Sequence, residues 1–402
     1  MRILVVATDF APEAIGIAPY NTQLAKHFVV SGHEVTVLTT FPHYPNYRWH
    51  SKPPGRTAVE VFDGVAVRRA WSLLPKQPSA AWRIAFDTSF AVAMRLNARE
   101  LPAQDLVLAI FPPAQGAIVA GALARKWKSR LIIHIQDLPV QAALTVGMLK
   151  PGPVAKAGRY VERVALRSAD TIVAIDQGFV PYLEGLGLPT SRVRVIPNWI
   201  DLEVVKPMAP DPGARALLGA LDGQFLLVHA GNLGRKQALT YAANAIATFG
   251  DGVRLGVIGE GSQADELAAM AAGGAAPNLT LLPLQPATAL PALLSSADAL
   301  LLSQRKEVID SVVPSKLLTY MASGRPVIAA VHPSSTAARI VRDSGCGLLV
   351  LPEDAKALAD AVRTLSADRG RGERLGRRGR EYAVKHFDRE VILANWDKLL
   401  QD

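Results

Sequence analysis

Val313-Pro314-Ser315-Lys316 opens a helical run that Gly324 and Pro326 end before the apolar stretch Val327 to Ala330. A chain entering a helix at Pro314 and Ser315 leaves backbone N–H groups unpaired and presents the positive end of a dipole, a setting for phosphate. Lys316 puts a full charge in that first turn. There it opposes the helix dipole, so the residue type points to a ligand anion rather than to helix stability. A second cationic loop, Gly231-Asn232-Leu233-Gly234-Arg235-Lys236-Gln237, also follows an apolar run. Its glycines free the backbone, and Arg235 and Lys236 can meet phosphate oxygens. A third run ends in Gly259-Glu260-Gly261, a GxG without the third glycine of a dinucleotide fingerprint.

The first half carries different chemistry. Asp137 follows the run Leu131 to Ile135. A carboxylate there can orient or deprotonate an acceptor hydroxyl, or it can cap a helix beginning after Pro139. His134, three residues earlier, reads as lying on the other face of the sheet, buried and hydrogen-bonded. Phe41-Pro42-His43-Tyr44-Pro45-Asn46-Tyr47-Arg48-Trp49 gathers aromatic rings, a histidine and prolines in one loop. It offers a stacking surface for a sugar or lipid, or a packed surface cap. Between Asp9 and Ala18 only Gly16 is present where a dinucleotide oxidoreductase would need G-x-G-x-x-G, which weighs against that class. Gly16 allows a close backbone approach to a ligand, or simply a turn.

These loops need strands to carry them. Apolar runs alternating with helical patterns predict an α/β fold with parallel sheets. The first half offers Ile3–Ala7, Val35–Thr39, Leu106–Ile110, Leu131–Ile135, Thr171–Ile175 and Val193–Ile196, with a hairpin over Val59–Arg69 turning at Asp63-Gly64. The second half offers Phe225–His229, Arg254–Ile258, Leu279–Leu282, Ala299–Leu302, Val327–Ala330 and Gly347–Val350. With 402 residues, two domains are expected. The expected division is a Rossmann-like acceptor domain over 1–198, a Rossmann-like donor domain over 199–385, and a C-terminal helix over 386–402 crossing back to the first. Ligands of such sheets bind beyond the carboxyl ends of the strands, so the two domains are expected to face one another across a cleft holding the site.

Taken together, these motifs resemble the retaining glycosyltransferases of family 4, with the GT-B fold. The resemblance spans nearly the whole chain: the Gly16 loop and Gly32-His33-Glu34-Val35 of the opening, Pro197-Asn198 and Asp201 at the hinge, Gly231 to Gln237, Gly259-Glu260-Gly261, and Pro314 to Ala329. Colanic-acid-type fucosyltransferases and related exopolysaccharide enzymes are closer still, through His134-Ile135-Gln136-Asp137, the Gly231 loop, Leu284-Gln285 and Val313-Pro314-Ser315-Lys316-Leu317. The resemblance implies transfer of a sugar from a nucleotide-diphosphate donor, UDP- or GDP-linked, without metal or other cofactor. It makes Asp137, Lys316 and Arg235 the catalytic candidates. Donor contacts fall on Gly16, Asn232, Lys236, Gly259, Glu260, Leu284, Asp310, Pro314, Ser315 and Thr319, and acceptor contacts on His43, Tyr44 and His134. The family's Glu-x7-Glu pair would stand at Ser311 and Thr319, and neither is acidic, so the ribose must be held differently. Asn232 stands where many relatives have an arginine, a charge Arg235 can supply. A sugar-nucleotide 2-epimerase of the same architecture and an inactive sugar-nucleotide-binding partner are the competing readings.

Charge points to the acceptor. Residues 1–200 hold 22 Lys+Arg against 13 Asp+Glu, while 201–402 hold 22 against 22, so the net +9 lies in the first half. With neither an aromatic platform nor a recognition helix, nucleic acid is not the expected partner. Lys156, Arg159, Arg163 and Arg167 recur at helical spacing between Val154 and Ala169, and Arg125-Lys126-Trp127-Lys128-Ser129-Arg130 adds a cluster. These suit an anionic membrane surface. No apolar run approaches the roughly 18 to 20 residues of a spanning helix, the single Cys346 cannot form an internal disulfide, and Met1 leads straight into a strand. The expectation is a cytoplasmic enzyme bound peripherally to the inner face of the membrane, acting on a polyprenyl-diphosphate-linked saccharide.

Overall fold

The computed structural model describes residues 1–44, 47–74, 79–145, 147–286, 288–308 and 314–401. The chain divides into two compact units: Met1–Pro197 together with the residues from Leu399 onward, and Asn198–Lys398.

The first unit is built on eight strands: β1 (Arg2–Val6), β2 (Glu34–Thr40), β3 (Thr57–Phe62), β4 (Val65–Ala70), β5 (Leu106–Phe111), β6 (Arg130–Ile135), β7 (Thr171–Ala174) and β8 (Val193–Val195). Their order is β3-β4-β2-β1-β5-β6-β7-β8, and only β3 runs antiparallel to its neighbour. The β3–β4 hairpin turns at Asp63 and Gly64, both with positive φ (47° and 81°), as the twist of a two-residue turn requires. Helices cover the sheet, so β1, β5 and β6 are apolar almost throughout, and β2, which carries three threonines, is buried from Val35 onward. Strand order reverses between β1 and β5, the place where open α/β sheets part their loops and accept ligands.

The second unit has six parallel strands: β9 (Phe225–Ala230), β10 (Val253–Ile258), β11 (Leu279–Leu282), β12 (Ala299–Ser303), β13 (Val327–Ala330) and β14 (Gly347–Val350), in the order β11-β10-β9-β12-β13-β14. Alternation along β9 sends Leu226, Val228 and Ala230 into one core and Phe225 and Leu227 into the other. The reversal falls between β9 and β12, which pair at only Ala299↔Leu227 and Leu300↔Val228. The segments that follow Ala230 and Ser303 therefore leave from either side of an opening in the sheet.

Helices Arg369–Phe387 and Arg389–Gln401 finish the chain. Arg380 donates to the carbonyls of Leu202, Val205 and Ala322, and Ile200 N donates to Phe387 O at 2.8 Å, fixing the segment after Pro197 to the second unit. The last helix stays with the second unit through Lys398, and Arg130 donates to Leu399 O at 2.9 Å.

Candidate functional site

Helix Ser315–Ala322 begins after Pro314, whose carbonyl accepts from Leu317 N at 2.9 Å; among the described residues no side chain caps the N–H groups of Ser315 and Lys316. Leu317, Leu318, Tyr320 and Met321 bury its inner face. The Tyr320 hydroxyl both accepts from Ala230 N (2.9 Å) and donates to Ala230 O (3.2 Å), tying the helix to the end of β9. Ser315 is exposed and Lys316 half-buried. Lys316 Nζ donates to Asn232 O (3.1 Å) and to His229 Nε2 (3.1 Å). His229 is fully buried, and its Nδ1 lies 3.0 Å from Leu301 O. A carbonyl only accepts, so this contact assigns the proton to Nδ1 and leaves a lone pair on Nε2 for the lysine. Burial lowers the Lys316 ammonium to about 7, and burial followed by the nearby lysine holds His229 neutral, well below the usual imidazole range. No carboxylate pairs with Lys316 among the described residues.

Three glycines make room for it. Gly231 has φ +130°, and a Cβ there would lie 2.4 Å from Lys316 Cε. A Cβ on Gly259 would lie 1.9 Å from Gly231 O, and one on Gly261 2.5 Å from the Leu233 carbonyl carbon. Gly231 N donates to Ile258 O and Leu233 N to Glu260 O, both at 2.8 Å. The loops after β9 and β10 are thus in backbone contact, which only glycine permits. Arg235 and Lys236 lie exposed in a short 3-10 turn beside this pair of loops, with Lys236 O accepting from Arg305 N at 2.8 Å. The side chains of Asn232 and Glu260 are exposed, and Leu284 beyond β11 is 51% exposed. Thr319 Oγ1 donates to Ser315 O at 3.2 Å, one helical turn back. Asp310 and Ser311 lie outside the described residues.

In the first unit, the loops after β1, β2, β5 and β6 enclose a cavity of about 160 Å³ whose walls include Asp9, Gly16, Tyr44, Arg83, Gln136 and Asp137. Gly16 (φ +70°) faces the Tyr44 ring, whose Cε1 would meet a Cβ at 3.0 Å, so this glycine seats an aromatic wall. Glu13 builds the loop: its oxygens accept from His43 N and Tyr44 N (2.7 Å each) and from Phe10 N (3.3 Å). Asp9, Glu13 and His43 bring ligand atoms within 4.8 Å of one another, and Glu13 spends its oxygens on the backbone. Arg83 donates to the Tyr47 hydroxyl (2.7 Å) and pairs with Asp87 (3.1 Å), whose carboxyl burial raises to about 6.

His134, read both as a buried, hydrogen-bonded residue and as an acceptor contact, is buried: its ring is 1% exposed, with Nε2 3.2 Å from the Gln136 amide nitrogen, and burial drives it to about 3. His43 is equally buried, and its ring lines the cavity beside Tyr47. Asp137 is exposed at the cavity, and its Oδ1 accepts from Leu138 N at 2.7 Å, at the start of helix Pro139–Thr145.

Helix Pro153–Arg167 turns Lys156, Arg159, Arg163 and Arg167 to solvent with Val154, Tyr160 and Val164, while Glu162 is buried and takes the Tyr182 hydroxyl. Arg159 lies over the Tyr182 ring at 5.8 Å, and Arg163, Arg167 and Arg192 line a cavity of about 390 Å³. In the Arg125–Arg130 cluster, Arg130 is withdrawn to Leu399 O and Thr171 Oγ1. No helix among the described residues is long and apolar enough to cross a membrane.

Sequence reasoning missed His229, Tyr320, Glu13 and Arg83. Only His229 left a trace, as the one polar side chain in the run Phe225 to Ala230.

Residues 16–199 match the glycosyl transferase 4-like domain and residues 224–368 the glycosyl transferases group 1 domain. WcaI of Escherichia coli K12, named as a colanic acid biosynthesis glycosyl transferase, is 29% identical over 98% of both chains. Among solved structures, sucrose-phosphate synthase from Thermosynechococcus elongatus superposes with a TM-score of 0.79 at 19% identity, covering 100% of this chain and 98% of the other. Anabaena HepE, solved in complex with UDP-glucose, gives 0.72 at 16% identity, covering 100% and 99%. Two matched domains in this order, on two Rossmann-like parallel sheets, place the chain among the glycosyltransferases of the family 4 type with the GT-B fold.

Proposed function

We propose that the chain moves a sugar, with its anomeric configuration kept, from a UDP- or GDP-sugar to a lipid-linked or saccharide acceptor in bacterial exopolysaccharide or O-antigen biosynthesis. The observation that carries this reading is Lys316, held with no carboxylate partner among the described residues, at an uncapped helix start beside the Gly231 loop. A departing diphosphate gains negative charge as the glycosidic bond breaks, and cations and amides placed in advance stabilise that transition state. In this reading Lys316, Ser315 N–H and Arg235 take the role that a metal ion takes elsewhere. HepE holding UDP-glucose and the name of WcaI support the donor class and the pathway type. The first-unit cavity is assigned to the acceptor, with Asp137 orienting its hydroxyl. A polyprenyl-diphosphate-linked acceptor stays in the bilayer, so the basic helix Pro153–Arg167 is assigned to the inner face of the cytoplasmic membrane.

The test is turnover of a panel of nucleotide sugars in the presence of polyprenyl-diphosphate-linked saccharide. Lys316→Ala and Arg235→Ala should each lower turnover about tenfold or more with melting temperature unchanged. Unaltered kinetics in both would remove the diphosphate site. Inversion at C2 of the donor without acceptor would replace transfer by epimerisation, and donor binding without turnover would leave a binding partner.

A further inference from the structure

His229 is the one polar side chain in β9 and it is fully buried. Such a group is costly to bury unless its polar atoms are partnered. Both nitrogens are: Nδ1 faces Leu301 O at 3.0 Å and Nε2 faces Lys316 Nζ at 3.1 Å. An imidazole that only filled space in the sheet would need no lysine. A lysine reaching over Gly231 has one other anchor among the described residues, Asn232 O at 3.1 Å, and a flexible stem of four carbons. An ammonium has three donors, so these two acceptors leave the third N–H for an incoming phosphate oxygen.

We propose that His229 is a positioning residue for the donor diphosphate: a neutral imidazole whose Nε2 lone pair fixes the Lys316 ammonium beside the Gly231 loop. This rests on the reading of Lys316 as a diphosphate ligand. The lysine is ordered before the donor arrives, so less side-chain freedom is lost on binding.

Two substitutions separate the roles of the ring. His229→Asn keeps an amide N–H for Leu301 O but is too short to reach Lys316. His229→Gln carries an amide oxygen to about the position of Nε2. Affinity for UDP, GDP and ADP, measured by calorimetry with melting temperature recorded, should fall about tenfold in His229→Asn and recover in His229→Gln. The Asn change should cost nothing further once Lys316→Ala is present, because coupled residues are not additive. An Asn variant that melts early but binds as the wild type does, or losses that add to those of Lys316→Ala, would overturn the proposal. If the Asn variant does not fold, the Gln variant with and without Lys316→Ala decides: weak binding that adds to the lysine loss overturns it, and wild-type binding that needs Lys316 supports it. A wild type that binds none of the three nucleotides would bring down the donor reading itself, and the role of His229 with it.

Discussion

Gly231 and Lys316 occupy space that a single added methyl group would contest: the Cβ of an alanine at 231 would stand 2.4 Å from Lys316 Cε. The lysine is the flexible partner, so it is the one that moves. Gly231→Ala is expected to swing the ammonium away from Asn232 O and His229, lowering nucleotide affinity about tenfold. The φ of +130° adds about 1–3 kcal/mol of backbone strain, visible as a lower melting temperature. Nucleotide affinity equal to wild type in a folded Gly231→Ala variant would show that the lysine position is not needed.

Burial sets Lys316 near 7, with no carboxylate among the described residues to hold its charge. A bound diphosphate favours the ammonium, so binding raises that value and takes up a proton above about pH 7. Affinity for a nucleotide sugar, whose phosphates do not titrate in this range, should be greatest below about pH 7 and fall as pH rises, approaching tenfold per unit. Lys316→Arg should flatten the profile, since guanidinium stays charged. A wild-type affinity that is level from about pH 6 to pH 9 would contradict the expectation.

Asp137 is exposed at the first-unit cavity and also accepts from Leu138 N at 2.7 Å. Asp137→Asn should lower kcat more than donor affinity, since the carboxylate is assigned to the acceptor hydroxyl. Steady-state kinetics with calorimetry decide the matter. Normal turnover with early melting would leave only the local backbone role.

Lys156, Arg159, Arg163 and Arg167 form the exposed basic face of helix Pro153–Arg167. Each residue near an anionic surface contributes roughly 1 kcal/mol, so binding to phosphatidylglycerol vesicles is expected at low salt and should weaken as salt rises. Changing all four to Gln should abolish most of it. Sedimentation that shows no vesicle binding at low salt, or equal binding by the variant, makes the face an ordinary solvated one.

The strands were legible because buried parallel strands write continuous apolar runs: all six of the second unit lie where Phe225 to Val350 predict them, within a residue or two. Lys316 was legible because a cation in a first helical turn is out of place. His229 was not, since a histidine ending an apolar run says nothing of Leu301 or Lys316, which lie 72 and 87 residues on. His134 was legible as a buried, hydrogen-bonded residue, three positions before Asp137 at the end of an apolar run. Glu13 lies 30 residues from the His43 N–H it accepts, and such loop-to-loop bonds leave no local pattern.

The parting of β9 from β12 after Val228 has a kinetic consequence. In an intact ladder, the amide of Ala230 would be shielded from solvent hydrogen by a neighbouring strand. Here the shield is one phenol, that of Tyr320. Deuterium uptake at that single amide therefore reports whether helix Ser315–Ala322 is docked. In Tyr320→Phe the site beside the donor loop becomes a place where the sheet breathes, while amides two residues earlier stay as slow as before.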